Sequence, residues 1–213
     1  MSNANPIIHV AFEADQLCLG WADGLLLRQS LGRYGRLQEA SAQQRQAWRI
    51  APQGSSVLWP GLGEQGLVIE GADWIWEHVC EQSMARLRAL DWDLERLPER
   101  DQAIVALWRL EADGYNGGFL QFFCNWGERS YQLALDALQA LGATQARAVV
   151  ERQRQTIGDL QAHPQLERLW DIPERLSDEQ HELISGELDE QLWTALEEVP
   201  ALAARHFYPP ACE

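Results

Sequence analysis

"EADGYNGGFLQFFCNWG", residues 111–127, decides how the chain is read. Gly117 and Gly118 stand side by side, and Phe119, Phe122, Phe123 and Trp126 follow at helical spacing. Adjacent glycines reach positive φ and allow close backbone approach, so they break a helix and let it restart. Each phenylalanine behind them contributes about 1.5–3 kcal/mol when fully buried. Asn116 is placed to cap the restarted helix through its side-chain oxygen. Gln121 and Asn125, four apart on another face, suit hydrogen bonds to loop backbone. This reading predicts a helix break over an aromatic core. The competing reading keeps Glu111, Asp113, Asn116, Gln121 and Asn125 as a polar cleft, with carboxylates available for acid–base work. No histidine lies near it in sequence and no serine sits on a G-x-S-x-G elbow. The architectural reading therefore leads, and no catalytic residue is assigned.

Helical patterning extends outward from this stretch. Tyr131, Ala134, Leu135, Leu138 and Leu141 form one apolar stripe, which Gly142 is placed to end. Ile104, Leu107 and Trp108 mark a helix with Pro98 near its start; Met84, Leu87 and Leu94 suggest another before it. Leu188, Leu192, Leu196 and Val199 give a last stripe before Pro200. Short connections predict antiparallel neighbours. The N-terminal part reads differently, as short strands and turns. Asp23-Gly24 is a hairpin signal, residues 37–50 suggest a short helix opening at Ser41 and ending before Pro52, and Pro60 bars the middle of a central strand. Gly61, Gly63 and Gly66 spell G-x-G-x-x-G, but Leu67-Val68-Ile69 continues as strand where a dinucleotide site needs a helix. The expected fold class is a small α+β domain over residues 1–74, followed by an all-α multi-helix domain over residues 75–213.

Charge narrows the function. The 213-residue chain carries 17 basic residues, all arginine, and a net charge of −15. Without lysine there is no P-loop, Schiff base or pyridoxal phosphate anchor, and no cofactor is expected. The net charge disfavours direct nucleic-acid binding and an anionic membrane surface. No apolar run approaches the roughly 20 residues that span a bilayer, and the N-terminus lacks a signal-peptide pattern, so the cytoplasm is the expected location. Cys18, Cys80, Cys124 and Cys212 form no Cys-x-x-Cys pair and read as free thiols; His78 and Cys80 sit too close for a metal-ligand pair on one helix face. Residues 1–75 hold 7 acidic and 5 basic side chains, whereas residues 76–213 hold 25 and 12. The densest acidic segment comprises Asp171, Glu174, Asp178, Glu179, Glu182, Glu187, Asp189, Glu190, Glu197 and Glu198, opposed by Arg175. Laid out as one helix it offers about one carboxylate per 4 Å, against about one charge per 1.7 Å for duplex DNA. A DNA-like surface would need a second acidic element, for which Asp91, Asp93, Glu95, Glu99 and Asp101 are placed.

Two stretches carry family resemblances. "LQEASAQQRQAW" and "VLWPGLGEQGLVIEGA" resemble domain of unknown function 2442 over residues 7–72. That family has an Ala-Ser/Thr-x-x-Gln-Arg helix, then Trp-Pro and Gly-Leu, and implies a small α+β fold with no known activity. Its members carry Asp-Glu-Asp after Trp-Pro, where this chain has Gly63-Glu64-Gln65. "EADGYNGGFLQFFCNWG", "ALDALQALGA" and "LDEQLW" resemble domain of unknown function 4375 over residues 95–207. That family includes a bacterial DNA mimic, an acidic all-helical dimer that binds the DNA-binding surface of a transcription factor. The resemblance implies a homodimer, a basic protein partner such as a DNA-binding protein, and an architectural role for Glu111, Asn116, Gly117, Gly118, Phe119, Gln121, Phe123 and Asn125. The expected function is thus non-enzymatic: an acidic interaction module. An immunity or antitoxin-like inhibitor of a basic toxin fits the same charge. A small-ligand binder or enzyme would instead use the cleft around Asn116.

Overall fold

The computed structural model describes residues 5–158, 160 and 166–208. Strands β1 (Ile7–Glu13), β2 (Gln16–Trp21) and β3 (Leu26–Ser30) form an antiparallel sheet in that order. The Asp23-Gly24 turn joins β2 and β3: Gly24 takes φ 91° and Asp23 Oδ1 accepts from the Leu25 amide at 3.0 Å. As the central strand, β2 buries Leu17, Cys18, Leu19 and Trp21.

The helix expected over residues 37–50 is instead two single turns, α1 (Gly35–Glu39) and α2 (Ala42–Gln46). Ala40 and Ser41 are extended between them, because Ser41 opens α2 as a capping box: its Oγ accepts from the Gln44 amide at 3.2 Å, and Gln44 Oε1 accepts from the Ser41 amide at 2.9 Å. Arg45 then donates to the Leu37 and Gln38 carbonyls left at the end of α1. A second antiparallel sheet follows, β4 (Arg49–Ile50), β5 (Ser56–Trp59) and β6 (Leu67–Glu70). Pro60 ends β5, and Gly61, Gly63 and Gly66 lie in the hairpin loop before β6, so no helix opens at the glycine motif. Trp59 is buried and its indole N–H donates to the Arg45 carbonyl at 2.8 Å. Trp74 is also buried, stacks on Tyr34 and donates to its hydroxyl at 2.8 Å. The Ser-x-x-Gln-Arg and Trp-Pro signature residues are thus pieces of one interlocked scaffold.

Helix α3 (Gly71–Ala89) leads into the helical part, and the chain divides into two compact units inside it: residues up to His78 together with Tyr208, and Val79–Phe207. In the second unit, α4 (Glu99–Leu141) opens directly after Pro98. It is broken at Gly117 (φ −153°) and Gly118 (φ 75°), and again at Gly127 (φ 67°). Gly142 stops it in the left-handed region at φ 76°, with the Ala143 amide returning to the Leu138 carbonyl. Then come α5 (Thr144–Ile157), α6 (Asp178–His181), a π-helical turn (Glu182–Leu188), α7 (Asp189–Leu196) and α8 (Val199–Phe207). Pro200 therefore opens a helix rather than ending the chain's last one; its missing N–H is harmless in a first turn, where amides have no intrahelical acceptor.

Phe119, Phe122 and Phe123 are fully buried, with Tyr131 set edge-on against Phe119 and Phe123. Gly114 lies against Leu192 and Leu196 of α7, and a Cβ there would meet Leu196 at 3.3 Å. Asp101 is 2% exposed at the start of α4, where Ser83, Arg86 and Arg100 surround it. Cys18, Cys80 and Cys124 are buried and form no disulfide among the described residues; Cys212 lies outside them.

Candidate functional site

Around the Asn-Gly-Gly stretch, the helix break at the glycines is as expected, but its cap is not. Asn116 is exposed, and the Phe119 amide that begins the restarted helix is taken by Asp189 Oδ1 at 3.0 Å, from the start of α7. Gln153 of α5 donates to the same oxygen at 2.7 Å. Gly118 is required here twice over: its φ is positive, and a Cβ would fall 1.9 Å from Asp189 Oδ2. Asp189 is 4% exposed, which corrects its expected place on the acidic surface. Burial raises its pKa, while the Phe119 and Gln153 hydrogen bonds oppose that shift.

The polar residues of the stretch converge on Asp113 rather than on loop backbone. Gln121 Nε2 donates to one carboxylate oxygen at 2.8 Å; Asn125 Nδ2 and the Trp126 indole N–H donate to the other, at 3.1 and 2.6 Å. Asn125 Oδ1 in turn accepts from the Trp170 indole at 3.2 Å. Trp126 is 38% exposed instead of joining the phenylalanine core, because its N–H reaches Asp113 and its ring carries the Arg109 guanidinium at 3.8 Å. Arg109 is buried, donates to Ser130 at 3.2 Å, and has its pKa pulled down by burial to about 10 while Asp113 opposes the shift. It stays charged at neutral pH. Sequence reasoning missed Arg109, whose ring partner Trp126 lies beyond the first glycine break and whose acceptor Ser130 lies beyond both. Asp113, Gln121 and Asn125 are brought together, but as mutual partners; Asn116 is not part of the cluster, and Glu111 is half-buried six residues before the break.

The acidic segment is not one helix. It runs through two 3-10 turns, α6, the π-helical turn and α7, so its carboxylates lie on a folded ribbon rather than a 28-residue rod. Glu174, Asp178, Glu179, Glu182, Glu187, Glu190, Glu197 and Glu198 are exposed. Of these, Glu187 pairs with Arg152 at 3.3 Å, and the others form no ion pair among the described residues. Asp171 is half-buried and bonded to Arg168, which holds its pKa below the usual carboxylate range. The second acidic element is partly neutralised: Glu95 pairs with Arg129, and Asp101 is buried between Arg86 and Arg100.

A family model described as DMP19-like protein matches residues 95–207, more than half the chain and the whole of α4 through α8. The chain belongs to the DMP19-like family. The Gly118–Asp189 lock and the Asp113 cluster both lie inside this DMP19-like region. A second model, described as a protein of unknown function (DUF2442), matches residues 7–65. Neither description names an enzyme activity. No curated protein and no solved structure matches the chain. No helix among the described residues is long and apolar enough to cross a membrane.

Proposed function

We propose that this protein is a non-enzymatic cytoplasmic interaction module whose acidic helical unit binds a basic surface on a partner protein. A DNA-binding protein that meets it as a DNA mimic is the reading that DMP19-like membership favours. The observation that supports it most directly is how the carboxylates are distributed. Asp113, Gln121, Asn125 and Asp189 are engaged within the fold, whereas Glu174, Asp178, Glu179, Glu182, Glu190, Glu197 and Glu198 face solvent without a counter-charge among the described residues. Such a surface accelerates association with a basic partner and makes it salt-sensitive. The test replaces those seven carboxylates by amides and measures capture of a basic DNA-binding protein at low and high salt. Loss of salt-sensitive capture with unchanged circular dichroism supports the reading. Retained capture, together with loss of activity in a well-folded Asn116→Ala variant, refutes it.

A further inference from the structure

A concave feature lies on this acidic face. Between α5 and α7 lies an open groove of about 610 Å3, lined by Ala148, Val149, Thr194 and Ala195 and by the carboxylate-bearing side chains of Glu187 and Glu190. Its volume lies in the roughly 300–1,000 Å3 range of ligand sites, but it is open along two packed helices, and its small lining residues admit a backbone at close range. That is the geometry by which an amphipathic helix lays its apolar face into a groove.

We propose that this groove receives an amphipathic, arginine-bearing helix of the basic partner. The inference rests on the interaction reading above and gives it a location. Charge selects the occupant. Glu190 has no counter-ion among the described residues, and Glu187 has the half-exposed Arg152 at 3.3 Å, a contact that an incoming guanidinium can replace. Aromatics stand on the adjoining face of α7, toward α4. Trp193, one residue from Thr194, is 39% exposed, and Tyr115 is 49% exposed beside it. Both are held in place: Trp193 Nε1 donates to the Gly114 carbonyl at 2.7 Å, and the Tyr115 hydroxyl donates to the Trp193 carbonyl at 3.3 Å. Tyr115 lies in the field of Glu111 and Glu197, so a cation over these rings meets both aromatic faces and carboxylates. Arginine suits this setting better than lysine, because its planar group stacks on rings and pairs with carboxylates in a fork. Aromatic anchors fixed before binding are the usual centres of interface energy.

The test uses the full chain and three synthetic probes: a helical peptide with leucines along one face and arginines on its flanks, the same peptide with glutamate for arginine, and a flexible oligoarginine. The arginine–leucine peptide should bind, its glutamate counterpart should not, and amide shifts on binding should concentrate in α5 and α7. Ala148→Trp or Thr194→Trp fills the groove without changing charge, and should weaken the arginine–leucine peptide tenfold or more while leaving oligoarginine binding unaltered. Glu190→Gln should weaken it several-fold and flatten its salt dependence. Unchanged peptide affinity in both tryptophan variants, or amide shifts elsewhere, overturns the groove while oligoarginine binding still supports an acidic docking surface. Failure of both basic probes at low salt overturns the groove and the interaction reading together. Should the tryptophan variants misfold, the amide-shift map of the unmodified chain decides.

Discussion

Replacing Asp189 tests whether the Asn-Gly-Gly break is held from a distance. In Asp189→Ala the Phe119 amide and the Gln153 amide lose their shared acceptor. Gln153 is fully buried and its Oε1 already lacks a partner, so both ends of that side chain become orphaned. Each unpaired buried donor costs about 1–3 kcal/mol. Relief of carboxylate desolvation offsets part of this, leaving an expected loss of about 3 kcal/mol. Asp189→Asn keeps an acceptor and removes the charge, so it should stay within about 1 kcal/mol of the wild type at neutral pH. The pH dependence separates the two effects. Burial raises the Asp189 pKa in the folded state, so the folded chain binds this proton more tightly than the unfolded chain. Its contribution to stability is therefore greatest below the unfolded pKa and falls as pH rises through the folded pKa. The wild type should lose stability relative to Asp189→Asn across that window and run parallel to it above. Urea denaturation followed by circular dichroism between about pH 4 and 7 measures this. An Asp189→Ala variant within about 0.5 kcal/mol of wild type, or an Asn variant as unstable as the Ala variant, would refute the assignment.

Gly118→Ala combines left-handed strain of about 1–2 kcal/mol with a clash on Asp189 Oδ2; in combination with Asp189→Ala the losses should fall well short of additive in a double-mutant cycle, because the clash partner is gone. Asp113→Ala removes the acceptor for Gln121, Asn125 and Trp126 and a carboxylate whose charge favours the Arg109 guanidinium; a loss of about 2–4 kcal/mol and a shift in tryptophan emission should accompany it. Ser41→Ala removes one half of the α2 capping box and should cost about 1 kcal/mol in thermal or chemical denaturation. Burial raises the Cys124 thiol to about 11, so a thiol reagent should label it only on unfolding, as read by peptide mass mapping.

Local signals in the sequence carried the fold a long way. The Asp23-Gly24 hairpin, the Ser41 cap, the Gly142 stop and the buried phenylalanines each depend on neighbours a few residues apart, and each is where its pattern placed it. The site was less legible because its partners are distant. Nothing near Phe119 announces that its amide will meet a carboxylate 70 residues onward, so Asn116, the nearest capping side chain, was the natural choice. One clue to Asp189 was present: it shares the i, i+3, i+7 face of Leu192 and Leu196, which are buried. Counting carboxylates without asking which face they occupy placed it at the surface. Along the sequence Gln121 and Asn125 point only to loop backbone, because Asp113 faces them only after the helix breaks at Gly117 and Gly118. The α5–α7 groove joins residues from two helices and has no signature along either.

The Asp189–Phe119 contact also bears on the order in which this chain matures on the ribosome. The inner phenylalanine segment emerges long before its cap is synthesised, and the helix that begins at Phe119 has no partner for its first amide until α7 has left the exit tunnel. The helical unit therefore cannot complete itself until α7 has been made, and a nascent chain stalled between these two points presents Phe119, Phe122 and Phe123 as a sticky, unfinished surface for chaperones to shield.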